Sequence, residues 1–423
     1  MEPIVHLKQR EVRNDKTRHQ FLLVGRRGGK TTYFVEDIME SIPGCPPGGK
    51  IFYIGPTNQS AMELIWDPLL EALDSLGWKY QEKISKHCIE LSRGRKVYVI
   101  GAEKIRRIRG HKVYRVYLDE IAFYNESLNN IWKAVRPTLT DLKGKARIGT
   151  TPNGKGTDAY DFYLNAQGNP QWKTFHWSSI NNPFLEASEI EDAKADMDEK
   201  SFNQEYEATW ESFEGLCYYN FNENIHIKNC SKIDWDQPMG ITYDFNVNPT
   251  TLLFVQSIRD KIFAKKEFSM KPGSTIETTK QFCSWIKNEA PTPDHRIKVD
   301  IHGDSAGNNR HSSTGWSDYQ YVEEVLKEEG INYEIKVIGR NPHPPARLSH
   351  VNAWLRNVKG ESRIEIDPGC RELVRDLSSQ ELEQGSRYPS DKNNLGHKAD
   401  AFGYFICWKQ LIGGDRKSSV IIL

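Results

Sequence analysis

A lysine behind a run of glycines, an acidic pair closing an apolar run and three widely spaced aspartates are the residues here whose types and spacing could do chemistry. The lysine lies in 20–32, QFLLVGRRGGKTT, where an apolar run feeds a turn of Gly25, Arg26, Arg27, Gly28 and Gly29 and ends in Lys30, Thr31 and Thr32. Backbone amides in such a turn converge on phosphate oxygens, a lysine neutralises the outer phosphates, and a hydroxyl at the next position, here Thr31, ligates magnesium. These residues describe a nucleoside triphosphate site. The spacing G-x-x-x-x-G-K-[ST] fits at Gly29, Lys30 and Thr31, whereas Val24 stands at the first glycine position and Gly25 follows one place late. Context must therefore carry the motif.

The acidic pair is Asp119 and Glu120, at the end of VYRVYL. On a nucleotide site the first acid holds magnesium through water and the second orients or deprotonates the attacking water, a pairing that fits hydrolysis. Just upstream, KIRRIRGHK brings together Lys104, Arg106, Arg107 and Arg109. Such a cluster suits DNA phosphates, a transition-state arginine or a solvated charged face. A further polar group, Thr150 and Thr151 with Pro152 and Asn153, closes the run ARIG, where it would sense a terminal phosphate or simply form a turn. Gln9, ahead of the loop, has an amide able to donate to and accept from an adenine edge, or to sit on the surface.

The three aspartates are Asp244, Asp304 and Asp400, from ITYDFN, IKVDIHGD and HKADAFGY. Two strands and a helix could bring them together around a pair of divalent cations that activate water and stabilise the leaving oxygen in phosphodiester cleavage. Asp300 rivals Asp304. His397 reads as a structural neighbour, because nothing at i+4 pairs with it on the helix.

The elements that must position these residues follow from periodicity. Residues 21–24 read as a buried strand and 31–40 as a helix with Phe34, Val35, Ile38 and Met39 on one face, so the glycine turn has strand, loop and helix around it. A second strand is expected at 50–56, a helix at 59–76, a hairpin turning at 92–95, and strands at 113–118 and 146–149. Helices are expected at 157–166 and 187–208, and 211–235 loses periodicity and reads as a connection. The second half opens with three consecutive strands, at 241–246, 250–257 and 261–268, followed by a helix at 275–288 and a strand at 297–303. Helices at 317–329, 345–357 and 370–382 precede a last one carrying Asp400.

With 423 residues the chain has room for two or three domains. Lys plus Arg equals Asp plus Glu at 57 each, so only local clusters could hold a polyanion. Seven scattered cysteines without C-x-x-C spacing predict a reducing compartment, no zinc site and no disulfide framework. No apolar segment of signal-peptide or membrane-spanning length is present, which predicts a soluble intracellular protein.

Taken together, GRRGGKT, VYLDE, GTTPNG and the three acids resemble, in order, the motifs of the large terminase subunit of tailed double-stranded DNA bacteriophages. The resemblance covers roughly residues 5–410. It implies an α/β chain with a P-loop ATPase domain of the ASCE type at 1–210, a linker at 211–235, an RNase H-like mixed-sheet nuclease domain at 236–412 and a tail at 413–423. GRRGGKT looks like the family's deviant Walker A loop, VYLDE like its Walker B strand and catalytic glutamate, GTTPNG like its coupling motif, and Gln9 falls at its adenine motif. Arg109-Gly110 looks like the pair that supplies an arginine to a neighbouring subunit's ATP. Asp244, Asp304 and Asp400 correspond to the nuclease acids.

The resemblance further implies ATP with Mg2+, two nuclease cations (Mg2+ or Mn2+), double-stranded DNA, a portal protein, a small terminase subunit, a homo-oligomeric ring, expected to be a pentamer, and the host cell cytoplasm without membrane attachment. A helicase-type or repair ATPase carrying an unrelated nuclease is the competing reading. A DNA-binding scaffold with degenerate sites is another, and intact Lys30, Glu120 and nuclease acids speak against it.

Overall fold

In the computed structural model, residues 6–155, 157–246, 249–292, 295–312, 314–384, 386–390 and 394–413 are described, the last four without side chains. The tail expected at 413–423 therefore lies, apart from Gly413, outside the described residues. The chain divides into two units, Met1–Asp192 with Lys200–Ser212, and Ala193–Glu199 with Phe213–Leu423.

In the first unit the fully buried run His19–Val24 is β1, flanked by helix α1, Leu7–Asn14, and helix α2, Lys30–Gly44. There follow β2 (Lys50–Gly55), α3 (Asn58–Ser75), β3 (Tyr80–Lys83), β4 (Cys88–Leu91), β5 (Lys96–Gly101), β6 (Val113–Asp119), α4 (Leu128–Thr138), β7 (Lys145–Thr150), α5 (Asp158–Gln167) and β8 (Trp172–Trp177). The eight strands are ordered β3-β4-β5-β2-β6-β7-β1-β8. From β5 to β8 every neighbouring pair is parallel, so the carboxyl ends of β1, β6 and β7 lie along one edge. The strand β7 separates β1 from β6, which is the extra strand that defines the ASCE arrangement. Both faces are covered, as parallel sheets require. Phe34 and Ile38 of α2 and Ile65 and Leu69 of α3 pack one face, and Ile131 and Val135 of α4 pack the other.

β8 was not expected from the sequence. On this edge strand, paired to β1 alone among the described residues, every residue before the buried Trp177 is half-buried or exposed, so it lacks the apolar run of its neighbours. The single helix expected at 187–208 is instead α6, Ala187–Asp196, and α7, Glu199–Glu205. The break is made by tertiary hydrogen bonds. Asp198 is fully buried and accepts from Ser349 at 2.8 Å and from the Tyr219 hydroxyl, while the Met197 carbonyl accepts from Val358 at 3.1 Å.

The second unit carries α8 (Glu223–His226), β9 (Met239–Asp244), β10 (Thr250–Ile258), β11 (Lys261–Met270), α9 (Thr275–Glu289), β12 (Lys298–Gly303), α10 (Asp318–Glu328), β13 (Asn332–Ile335), α11 (Pro344–Leu355), β14 (Ile364–Ile366), α12 (Arg371–Ser379) and α13 (His397–Gly413). The sheet order is β13-β12-β9-β10-β11-β14, with β9, β10 and β11 antiparallel and β12 parallel to β9. That mixed order, three meandering strands and then parallel additions beside the first, is the RNase H-like arrangement. The stretch 211–235, expected as a connection, is packed into this unit: Cys217 and Tyr218 are buried among residues of β10, α11 and α13. Two apolar residues in a polar, aromatic run carry too little periodicity to reveal that.

One buried network fastens α2 to the sheet. Asp37 accepts from Arg115 at 2.8 and 2.6 Å and from the Tyr117 hydroxyl at 2.7 Å, with Arg147 at 3.6 Å. Burial opposes the Asp37 charge, but Arg115 and Arg147 outweigh it and hold the carboxyl below its ordinary pKa. Asp37→Ala leaves two buried guanidinium groups uncompensated and should cost the first unit about 3–5 kcal/mol, read as a lowered urea midpoint. Because the folded pKa is depressed, this stability is fully present above the unfolded carboxyl pKa and is lost as pH falls through the folded one. The gap between wild type and variant should therefore shrink only in acid.

Candidate nucleotide and metal sites

The glycine turn leaves the carboxyl end of β1 and enters α2. Arg27 and Gly29 have left-handed backbones, at φ 61° and 84°, which turns successive peptide planes. Each carbonyl from Arg26 to Gly29 is held by a side chain outside the turn. Ser179 donates to Arg26 at 2.5 Å, Asn182 to Arg27 at 2.7 Å, Trp177 to Gly28 at 2.8 Å and Gln9 to Gly29 at 2.7 Å. The Gly25, Arg26 and Gly28 amides bond the Trp177, Glu205 and Gly25 carbonyls, so the amides of Arg27 and Gly29, together with the first amides of α2, are those the turn can offer as an anion-binding nest. Space is tight there: a Cβ on Gly25 would meet the Tyr206 carbonyl oxygen at 2.3 Å, which explains why a glycine stands at this displaced position. Thr31 is half-buried and Thr32 exposed in the first turn of α2, and the guanidinium-bearing Arg26 and Arg27 are exposed.

Lys30 is buried, with its ammonium 2.8 Å from Asp119 and in direct contact with Glu120. Burial works against its charge, but the two carboxylates outweigh burial and raise its pKa. Asp119 is fixed by the Tyr53 hydroxyl at 2.7 Å and by the Glu120 amide at 3.0 Å. Glu120 sits just past β6 with a left-handed backbone at φ 54°, a conformation that costs a residue with a side chain about 1–2 kcal/mol and persists only where surroundings dictate it. Its second oxygen accepts from the Thr151 amide at 3.1 Å, and Thr150 accepts from the Ala122 amide at 3.2 Å. The glycine turn with Lys30, the Asp119–Glu120 pair and the Thr150–Thr151 pair thus meet at one edge. Gly149 is part of why they can: a Cβ there would lie 2.6 Å from the Lys30 side chain.

Two expected residues are placed differently. Gln9 is buried, and both ends of its amide are used inside the protein, by the Gly29 carbonyl and by the His6 amide at 3.1 Å. In this structure it braces the turn and does not present an adenine-reading edge. Arg109 is exposed in the connection that carries the chain from the carboxyl end of β5 back to the start of β6. Its backbone amide bonds the Arg106 carbonyl at 3.3 Å, and its side chain makes no hydrogen bond or ion pair among the described residues.

In the second unit, Asp244 ends β9 and Asp304 follows β12, its neighbour, with the Asp304 amide donating to the Tyr243 carbonyl at 3.2 Å. Asp400 comes to them from the first turn of α13. Each acid has its own anchor. His397 and Asn246 bond Asp244 at 2.9 and 2.6 Å, Asn341 donates to Asp304 at 2.5 Å, and Arg347 pairs with Asp400 at 2.6 Å. Burial, and then repulsion from Asp244, push the Asp400 carboxyl up to about 6 against the pull of Arg347. Such repulsion between the hard oxygen donors of Asp244 and Asp400 is what a divalent cation relieves, and the chemistry of the donor set suits one. As they stand, the described residues form no closed group of three or more metal-ligating side chains. Asp300 is set apart from them. It lies four residues back and pairs with Lys336 at 2.8 Å.

Sequence reasoning missed Tyr53, Trp177, Ser179 and Asn182 around the turn, and Asn341 and Arg347 around the acids. No local pattern marks them. The only signal is an arginine, Arg347, among apolar helix positions.

Fold and sites together define a P-loop ATPase unit of the ASCE type in one chain with an RNase H-like unit. Residues 21–225 match the family described as terminase large subunit, T4likevirus-type, N-terminal. Over 413 residues the chain is 27% identical to the terminase large subunit of Escherichia phage T5, covering 92% of this chain and 86% of that one. Its fold is similar to that of the large terminase from a thermophilic bacteriophage, with TM-score 0.61 at 16% identity over 96% of this chain and 98% of the other. The same thermophilic phage protein in complex with ATP-gamma-S matches with TM-score 0.58 at 18% identity over 95% and 98%. The chain is thus similar in sequence and in fold to large terminase subunits of bacteriophages, with the family match itself confined to residues 21–225.

The placement of the acids makes a direct prediction. Asp304→Ala should lose Mn2+ binding measured by titration calorimetry, whereas Asp300→Ala, which breaks only the Lys336 pair, should bind Mn2+ as wild type does and unfold at lower temperature. The reverse pattern would assign the metal position to Asp300.

Proposed function

We propose that this chain is a DNA-packaging motor in which the first unit hydrolyses ATP to translocate double-stranded DNA into a procapsid and the second cuts concatemeric DNA. The observation that carries the reading is the meeting of Lys30 with Asp119 and Glu120, the latter 90 residues away in sequence, at the glycine turn that enters α2. In this role Lys30 exchanges its carboxylate partners for the outer phosphates, and that exchange releases Glu120. Glu120 then orients and deprotonates the attacking water, and Thr31 and Asp119 are the residues that would hold Mg2+, which supplies charge neutralisation on the phosphates. Thr150 and Thr151, tied to Glu120 and its following turn, relay the state of the terminal phosphate. Gln9 acts through the Gly29 carbonyl as a positioning residue of the turn.

Arg109 serves a neighbouring copy's ATP, which its exposure and lack of internal partners among the described residues support. Asp244, Asp304 and Asp400 would hold two divalent cations, Mg2+ or Mn2+, whose chemistry is to activate water and stabilise the leaving oxygen. Arg347, His397 and Asn341 keep the acids in place. The assembly we propose is a pentameric ring on the portal protein, with a small terminase subunit selecting the viral DNA, in the host cell cytoplasm. No helix among the described residues is long and apolar enough to cross a membrane. The boundaries we propose are an ATPase domain at 1–210 and a nuclease domain at 236–412.

Lys30→Ala and Glu120→Gln should each abolish ATP turnover in a phosphate-release assay while plasmid nicking in Mn2+ continues. Wild-type turnover in either variant overturns the ATPase assignment. Arg109→Ala should bind ATP normally and hydrolyse it about 10³-fold more slowly, and mixing it with Glu120→Gln protein should restore part of the rate. Absence of rescue together with weakened DNA binding would make Arg109 a phosphate contact.

A further inference from the structure

Next to Asp244 the second unit has a cavity of about 270 Å³ that the roles above leave unused. Asn246, which bonds Asp244 at 2.6 Å, forms part of its wall, so the cavity opens beside the acids. Phe245 and the Thr275 end of α9 line one side, and His311, Asp318 and Tyr321 the other. The carboxylate in the lining is fully engaged: Asp318 accepts from Thr275 at 2.7 Å and pairs with His311 at 3.2 Å. These bonds hold the carboxylate in place within a wall that also carries the Phe245 and Tyr321 rings. Trp316, 41% exposed, stacks on Tyr321 at 5.5 Å with 27° between planes, and His311 lies 6.4 Å from the same tyrosine. The Tyr321 hydroxyl has no hydrogen bond among the described residues.

A half-buried tyrosine ring in the wall of the pocket, stacked against an exposed tryptophan, offers a face for bases, since every base has a π face and needs no sequence-specific edge. Bases inside a duplex cannot reach such rings, so the occupant is unpaired. We propose that this cavity takes an unpaired base of the DNA strand flanking the phosphate held at Asp244, stacked on Tyr321, whose ring Trp316 supports from outside the cavity. The Thr275 end of α9, where the positive end of the helix dipole lies, faces the same strand's backbone. The proposal rests on the nuclease reading of the acids, and it gives the enzyme a way to hold a locally opened duplex or a frayed end.

The test uses the full-length protein in EDTA, which prevents cleavage. Fluorescence anisotropy compares Trp316→Ala and Tyr321→Ala with wild type on an oligothymidine of about 16 nucleotides and on a blunt duplex of the same length. Each variant should lose about fivefold or more affinity for the oligothymidine and stay within about twofold on the duplex, with ATP turnover unchanged. Wild-type affinity for the oligothymidine, or an equal loss on both ligands, overturns the proposal. Should Tyr321→Ala fail to fold, the surface residue Trp316 decides alone. Plasmid nicking in Mn2+ separates the two readings. Variants that bind and nick as wild type does remove the base site and leave the nuclease, whereas a wild type that binds oligothymidine through Trp316 but does not nick removes the nuclease.

Discussion

A buried ammonium is tolerated only beside negative charge, and the first unit is arranged around that constraint at Lys30. An unpaired buried charge costs several kcal/mol, so Asp119 and Glu120 must be delivered to the end of β1 from β6, with β7 between the two strands. Gly149 on β7 leaves the space that the lysine stem crosses, and Tyr53 on β2 fixes the far oxygen of Asp119. The left-handed backbone of Glu120 is the local cost of bringing the second carboxylate to the same atom. The same pairing occupies one oxygen of Glu120, while the Thr151 amide takes the other. Stability of this edge and its chemistry are thus one electrostatic arrangement.

The second unit meets the opposite constraint. Its acids repel one another, and the protein holds them together through separate anchors on different elements: Arg347 on α11, His397 on α13 and Asn341 in the segment before α11. Removing an anchor and removing an acid are therefore different perturbations. The first misplaces a donor, and the second deletes one.

Both sites lie at the carboxyl ends of parallel neighbours, β1 with β7 and β6 in one unit and β9 with β12 in the other. There the chain leaves the sheet, backbone groups are free, and loops can converge without breaking ladder hydrogen bonds. The side chains that set loop shape come from elsewhere: Trp177 ends β8, and Ser179 and Asn182 follow it. An edge strand with weak apolar character thereby does its work through its last residue and the turn beyond.

The sequence by itself determined the strand, loop and helix around Lys30, the β6 run ending in Asp119 and Glu120, and the meander of β9, β10 and β11, because each is written in local periodicity and in residue types that chemistry restricts. It also determined the order of the motifs, which was enough to bring out the resemblance to large terminase subunits. Only the tertiary structure distinguished the surroundings of Asp304 and Asp300, since two aspartates four apart look alike until Lys336 pairs with one of them. It alone turned Gln9 inward, broke the helix at Asp198 and drew Cys217 and Tyr218 into a core, because in each case the deciding partner lies far away in the chain. Arg347 and Asn182 stayed hidden for the same reason. A side chain that acts by holding another one leaves no spacing to read.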